Sequence, residues 1–314
     1  MRAIRLLFVL LFLALCAWAQ APAPKAPARV PPGTPMGTGP FPAVMEVDPT
    51  LPTHTVYRPK DLAALRGEKL PIVAWGNGAC ANIGNRFRYF LTEIASYGFL
   101  AIAIGPIGPP EVEASAQMPA SAAPQQRTEP ATKSSQLIDA INWAVAENGR
   151  KESRYYGKLD TSRVAVMGQS CGGVQATAVS GDPRVKLTGI WNSGLIAVRR
   201  PNAPPMEDVP KETLQKFHAP VFYFTGDEAN DVAYPNGLDD FKRIDHVAAF
   251  HAYKDGLPHT GTYREPNGGE LGKIAVAVLL WQFKGDQRAA KMFVGADCTL
   301  CRDPKWHVSK KKME

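Results

Sequence analysis

Short runs of consecutive apolar residues alternate along the chain with stretches whose apolar residues fall on one side of a helix. His54-Thr55-Val56-Tyr57-Arg58-Pro59 reads as an early strand, and Leu70-Pro71-Ile72-Val73-Ala74-Trp75 as a buried one that stops at Gly76-Asn77-Gly78-Ala79-Cys80. Phe87, Phe90, Leu91 and Ile94 then recur at helical spacing, Gly98 ends that helix, and Phe99-Leu100-Ala101-Ile102-Ala103-Ile104 is a continuous apolar strand. This strand–helix–strand unit implies a parallel pair with the helix over one face, because the crossover must be right-handed. Further along, Ser134 or Ser135 caps a helix with the face Leu137, Ile141 and Val145. Val164-Ala165-Val166-Met167 and Leu187-Thr188-Gly189-Ile190-Trp191 read as strands. A polar helix over 210–218 precedes the strand Pro220-Val221-Phe222-Tyr223-Phe224, and residues 247–253 supply the last strand. Leu271, Ile274, Val278 and Trp281 mark a long amphipathic helix over 269–284. The alternation predicts an α/β fold: a doubly wound, mostly parallel sheet flanked by helices, in a single domain.

Composition changes this picture at the two ends and in one loop. Arg2 and Arg5, the apolar run 6–15 and the small-x-small triplet Ala17-Trp18-Ala19 read as a signal peptide over 1–19, too short in its apolar run to span a bilayer. Cys16 suggests a lipoprotein, but Leu15 before it is larger than such processing accepts. Residues 20–38, rich in Ala and Pro, read as a disordered linker. The catalytic domain is then expected over 39–296, with a Cys-x-x-Cys and basic tail over 297–314. Residues 105–132 form a long loop without periodicity, after a strand's carboxyl end where open α/β sheets place ligands. The chain carries a formal charge of +7, and removing 1–19 takes two arginines and no acids, leaving 34 basic against 29 acidic side chains, a net of +5. No basic stripe interleaved with aromatic residues accompanies that charge, which argues against nucleic acid as a partner.

The chemistry centres on Gly168-Gln169-Ser170-Cys171-Gly172-Gly173, between an apolar strand and a small-residue helix. That is the setting of a nucleophile elbow, in which glycines allow a sharp turn and leave Ser170 at its tip. A serine needs a base to take its proton and an acid to hold the base in the correct tautomer. Of six histidines, only His259 lies in a loop after the last of these strands and before the long helix. Asp231, a few positions beyond the strand end at Gly226, is the preferred acid, with Asp227 in reserve. The oxyanion donors are expected to be the amide of Cys171 and one from Asn77 or Gly78. If both loops build one oxyanion hole, Cys80 and Cys171 come near enough to bridge; the alternative is two buried thiols. Cys298-Thr299-Leu300-Cys301 lacks a second cysteine or histidine pair, so a local disulfide is expected there and no metal site.

These residues resemble the secreted bacterial cutinase-like polyester hydrolases, a group that includes enzymes acting on polyethylene terephthalate, within the dienelactone-hydrolase-like α/β-hydrolases. The likeness runs from Gly39-Pro40-Phe41 to Gly285-Asp286. It is clearest in Ile94-Ala95-Ser96-Tyr97-Gly98-Phe99, in the stretch from Tyr156-Gly157-Lys158 to Gly168-Gln169-Ser170, and in Asn230-Asp231-Val232-Ala233. The resemblance implies an α/β-hydrolase fold with Ser170 as nucleophile, Asp231 as acid, His259 as base, and the amides of Asn77 and Cys171 as oxyanion donors. It further implies Trp191 beside the substrate's acyl group, Gln169 at a substrate-binding position, and no metal or organic cofactor. The sequence departs from that group as well: Asn77 replaces the usual aromatic residue, removing one wall of an aromatic clamp, Gln169 replaces Trp or His, and the long loop over 105–132 and the pair Cys80/Cys171 are unlike it.

The expectation is therefore a secreted or periplasmic serine esterase, monomeric, acting on small or oligomeric carboxylic esters through an acyl-enzyme, with no stable membrane insertion once the signal is removed. Two rivals share the sequence features: a serine peptidase or amidase with the same triad, and a catalytically inactive envelope binding protein on a hydrolase scaffold.

Overall fold

A computed structural model describes residues 30–114, 129–196 and 205–313. The expected signal peptide, the first part of the expected linker and the middle of the long loop lie outside the described residues. The strands are β1 (Ala43–Glu46), β2 (His54–Pro59), β3 (Leu70–Gly76), β4 (Leu100–Ile104), β5 (Leu159–Gln169), β6 (Val185–Trp191), β7 (Val221–Gly226), β8 (Ala249–Lys254) and β9 (Trp306–Lys311). The helices are α1 (Arg88–Ser96), α2 (Glu111–Ala114), α3 (Ser135–Gly149), α4 (Cys171–Val179), α5 (Tyr234–Arg243), α6 (Gly269–Lys284), α7 (Gln287–Ala290) and α8 (Thr299–Arg302). None of the described helices is long and apolar enough to cross a membrane.

The strands form one sheet in the order β1-β2-β4-β3-β5-β6-β7-β8-β9, parallel from β4 through β8 and antiparallel at both edges. This is the α/β-hydrolase fold. Alternation along each strand sorts side chains to two cores. Val73 and Trp75 of β3 and Phe222 and Phe224 of β7 join the core under α1 and α6. Ile72 and Ala74, with Val221 and Tyr223, join the core shared with α3, α4 and α5. After β3 the chain turns to β4 on one side and to β5 on the other, so the sheet's switch point lies beside β3. The crevice at such a point opens at the strands' carboxyl ends. There Gly76 pairs with Gly168, Gln169 with Trp191, Trp191 with Phe224, and Gly226 with Lys254. Five loops therefore leave neighbouring strands at one level, carrying Asn77, Ser170, Asn192, Asp231 and His259.

Several elements differ from the sequence reading. The expected tail over 297–314 contains β9, which pairs antiparallel with β8 and makes the sheet's edge. Its lysines are not a free solvated end: Lys311 Nζ donates to the carbonyls of Phe241, Lys242 and Ile244 at the end of α5, and Lys310 Nζ to those of Phe293 and Gly295. The described part of the expected linker is tied down as well. Met36 bridges Ala43, Thr38 hydrogen-bonds the Glu93 carboxylate, and buried Arg88 donates to the carbonyls of Val30 and Pro31. Strand β1 precedes the one expected to come first. Ser134 makes no cap bond to α3; its amide and hydroxyl instead donate to Glu207. The buried face of α3 is Leu137, Ala140, Ile141 and Ala144, and Val145 is exposed, because residues eight apart drift about 80° around a helix. Helix α6 spans the range expected for it, closed by Gly285 in the left-handed conformation at φ 67°.

Candidate active site

Ser170 stands between β5 and α4 with φ 53° and ψ −119°, a backbone conformation rare for a residue with a side chain. Its amide donates to the Trp191 carbonyl at 3.0 Å, and its own carbonyl accepts the Ser193 hydroxyl at 2.6 Å and the Gly173 amide at 2.9 Å. The turn is thus held from both sides and Oγ is left to the crevice. Ser170 Oγ lies 2.9 Å from His259 Nε2, and His259 Nδ1 lies 2.6 Å from Asp231 Oδ1. Three side chains from three loops meet in one unbroken line.

Asp231 is fully buried, and each of its oxygens has two donors. Oδ1 accepts from His259 and from the Ala233 amide at 2.9 Å; Oδ2 accepts from the Gly226 amide at 2.9 Å and from Asn192 Nδ2 at 2.7 Å. Burial pushes its pKa up, but the bonds from His259, Ala233 and Asn192 outweigh this and hold it below the ordinary carboxylate value. Asp227 does not reach His259: its carboxylate accepts the amides of Ala229, Asn230 and Gly256 and braces the surrounding loop. The His259 amide donates to the Asn230 carbonyl at 3.1 Å, which ties the His259 loop directly to the Asp231 loop. Among the other histidines, His54, His218 and His246 contact main-chain carbonyls, His307 contacts Asp255, and His251 is buried among aromatic rings.

The loop after β3 and the turn at Ser170 touch directly. A Cβ on Gly172 would fall on the Gly76 carbonyl and within 2.8 Å of the Asn77 nitrogen, so only glycine lets these backbones approach. A disulfide joins Cys80 to Cys171 across the same contact. The backbone N–H groups of Asn77 and Cys171 donate to no protein acceptor among the described residues. The Asn77 side chain is turned inward, with Nδ2 donating to the carbonyls of Ala81, Ile83 and Ile104, so it shapes its own loop rather than lining a cleft. Gly78 lies under the Gln169 side chain, whose Oε1 would collide with any Cβ there, while Gln169 Nε2 donates to the His259 carbonyl at 2.9 Å. The Gln169 amide thus bridges the loops that carry Gly78 and His259.

The Trp191 ring, expected beside the substrate's acyl group, is fully buried and has no face open to the crevice. Its strand position points the ring to the α1/α6 face, where it is fully buried, stacked on Phe224 at 4.6 Å and edge-on to Phe90 at 5.4 Å. The sequence signal that would have placed it is the alternation itself, which puts Trp191 on the opposite face from Ile190. Asn192, Ser193 and Tyr263 are site residues that the sequence reading gave no role, since an isolated polar residue after a strand carries no motif. Cys298 and Cys301 form a second, local disulfide. Among the described residues no three His, Cys, Asp or Glu side chains are grouped to hold a metal ion.

The family model PETase, described as PET hydrolase-like, matches residues 79–192. The match runs from Ala79 through Ser170 to Asn192 and is consistent with the polyester-hydrolase branch that the sequence resembles; at the family level it implies a serine hydrolase acting on esters. No curated protein matches the chain.

Proposed function

We propose that this protein is a serine esterase that cleaves carboxylic esters by acyl transfer to Ser170. The observation that carries the reading is the run of hydrogen bonds from Ser170 Oγ through His259 to a buried, ionised Asp231. His259 Nε2 takes the Ser170 proton as Oγ attacks the ester carbonyl, and Asp231 holds the ring so that Nδ1 keeps its hydrogen and Nε2 accepts. The negative charge that develops on the carbonyl oxygen is met by the N–H groups of Cys171 and Asn77. His259 then returns its proton to the departing alkoxide, leaving an acyl-enzyme, and in a second round activates water to release the acid. The inward Asn77 and buried Trp191 supply no aromatic walls, which favours esters with modest acyl groups over an aromatic polymer. Two disulfides suit an oxidising compartment, in keeping with export through the N-terminal signal.

Ser170→Ala in the purified mature chain is expected to lower kcat for short p-nitrophenyl esters by about 10⁴-fold or more and to abolish fluorophosphonate labelling. Retained hydrolysis would overturn the reading. A matched panel of esters and amides separates esterase from peptidase chemistry, with amide turnover above ester turnover counting against an esterase.

A further inference from the structure

We propose that Asn192 is a positioning residue that holds the Asp231 carboxylate toward His259, with Tyr263 fixing the direction of its amide; this rests on the Ser170–His259–Asp231 reading above. Asn192 follows β6 directly, is fully buried, and has φ 41°, a left-handed conformation that asparagine tolerates better than other residues with side chains. Its backbone amide donates to the Phe224 carbonyl at 2.7 Å, which anchors it between the ends of β6 and β7. From that fixed point Nδ2 donates to Asp231 Oδ2 at 2.7 Å and reaches the Pro258 carbonyl at 3.4 Å, so one amide group spans the acid loop and the base loop.

The amide can point only one way. An ionised carboxylate only accepts, so the group facing Asp231 must be the NH₂, and the oxygen then faces the Tyr263 hydroxyl, which donates to it. Tyr263 is itself fully buried, its ring packed against Trp75, Phe87 and Phe90. Burial and the nearby Asp231 charge push its pKa well up, so it keeps the proton it donates. The titratable groups facing Asp231 are thus His259 and Tyr263, with Arg264 next along the chain and acting on Tyr263. Among the described residues, Asn192 is, apart from His259, the one side chain that holds Asp231; the remaining donors are the amides of Gly226 and Ala233. With both oxygens claimed, the carboxylate cannot rotate when His259 becomes an imidazolium during the reaction.

The test uses the full mature chain, with kcat and KM for a short p-nitrophenyl ester measured across pH and normalised to sites titrated by fluorophosphonate. Asn192→Ala is expected to lower kcat per labelled site by about 10–100-fold with KM within about 3-fold, and Tyr263→Phe to cause a smaller loss of the same kind. Asn192→Asp supplies the sharpest readout. Its carboxyl can donate to Asp231 only while protonated, so the variant's activity as a fraction of the wild type's at the same pH should be highest on the acid side and fall as pH rises. A merely structural role would lower the fraction of labelled protein without reshaping the profile. Wild-type kcat per site in Asn192→Ala, or a profile for Asn192→Asp parallel to the wild type, overturns the proposal. Ser170→Ala is assayed alongside: if it stays active the triad reading itself fails, whereas an inactive Ser170→Ala beside a fully active Asn192→Ala removes only the role of Asn192.

Discussion

A methyl group placed on Gly172 meets the Gly76 carbonyl and the Asn77 nitrogen, both backbone atoms that cannot swing aside as a flexible side chain could. Gly172→Ala must therefore push the elbow away from the oxyanion loop, and with it the Cys171 amide away from the Asn77 amide. If those two N–H groups act together on one developing oxyanion, separating them weakens the transition state more than the bound ester. The expected result is a fall in kcat of about 10²-fold with a smaller change in KM, because displacements near 1 Å cost that much at a reacting centre. Overpacking should also cost about 1–3 kcal/mol of stability, read by thermal unfolding. Gly149→Ala is the matched control, since a Cβ there meets nothing within 4 Å and lies at the end of α3. Equal kcat in the two variants would show that the close approach at Gly172 has no catalytic consequence.

Between elements, the Cys80–Cys171 bridge does for the loop after β3 what Gly172 does for the turn at Ser170. It joins the short 3-10 turn Gly78–Cys80 to the first residue of α4, across 91 residues of sequence. Closing so long a loop restricts the unfolded chain, and its removal is expected to cost about 2–5 kcal/mol. Replacing both cysteines by alanine should lower the unfolding temperature and kcat together, and reductant should do the same to the wild type; Cys298→Ser/Cys301→Ser should leave kcat unchanged. A double variant that loses stability but keeps full kcat would confine the bridge to folding. This pairing was open in the sequence, where loop order brought the two cysteines near without deciding their state. Helix α6 was legible to the residue because its apolar period and the glycine after it agree. Strand β9 was not: Trp306-His307-Val308-Ser309-Lys310-Lys311 has an edge strand's polar composition, and its lysines gave no sign of the carbonyls they cap. Within the candidate site, motif and chain order singled out Ser170 and His259, which lie in hydrogen-bond contact, while the contacts of Asn192 and Tyr263 run between distant loops that no local pattern announces.

At the scale of the whole molecule, the packing about the sheet buries His251 and Asp240, whose responses to acid have opposite signs. His251 lies in β8, paired with Ser309 of β9 and packed against Phe241, Tyr234 and Tyr253, and burial pushes its pKa down to about 4. In the unfolded chain a histidine takes up a proton near pH 6.5, so between about 6.5 and 4 the unfolded state binds more protons and stability falls as pH falls. Asp240 on α5 is buried against Lys211 Nζ and the Leu195 amide, and burial raises its pKa to about 6 despite the lysine. Its folded state binds the proton first, so between about 6 and 4 it adds stability as pH falls. The two effects offset one another in the wild type and should separate on mutation. His251→Phe keeps a ring in the aromatic cluster and removes the acid penalty, so its stability relative to its own value at pH 7 should exceed the wild type's by about 2 kcal/mol at pH 5. Asp240→Asn removes the opposing effect and should make the protein more acid-sensitive than the wild type over the same interval. Urea unfolding at pH 7 and pH 5 for the three proteins measures both slopes. If His251→Phe and the wild type lose stability in parallel, the imidazole is protonated in the folded sheet and β8 is less dry at that point than its packing indicates.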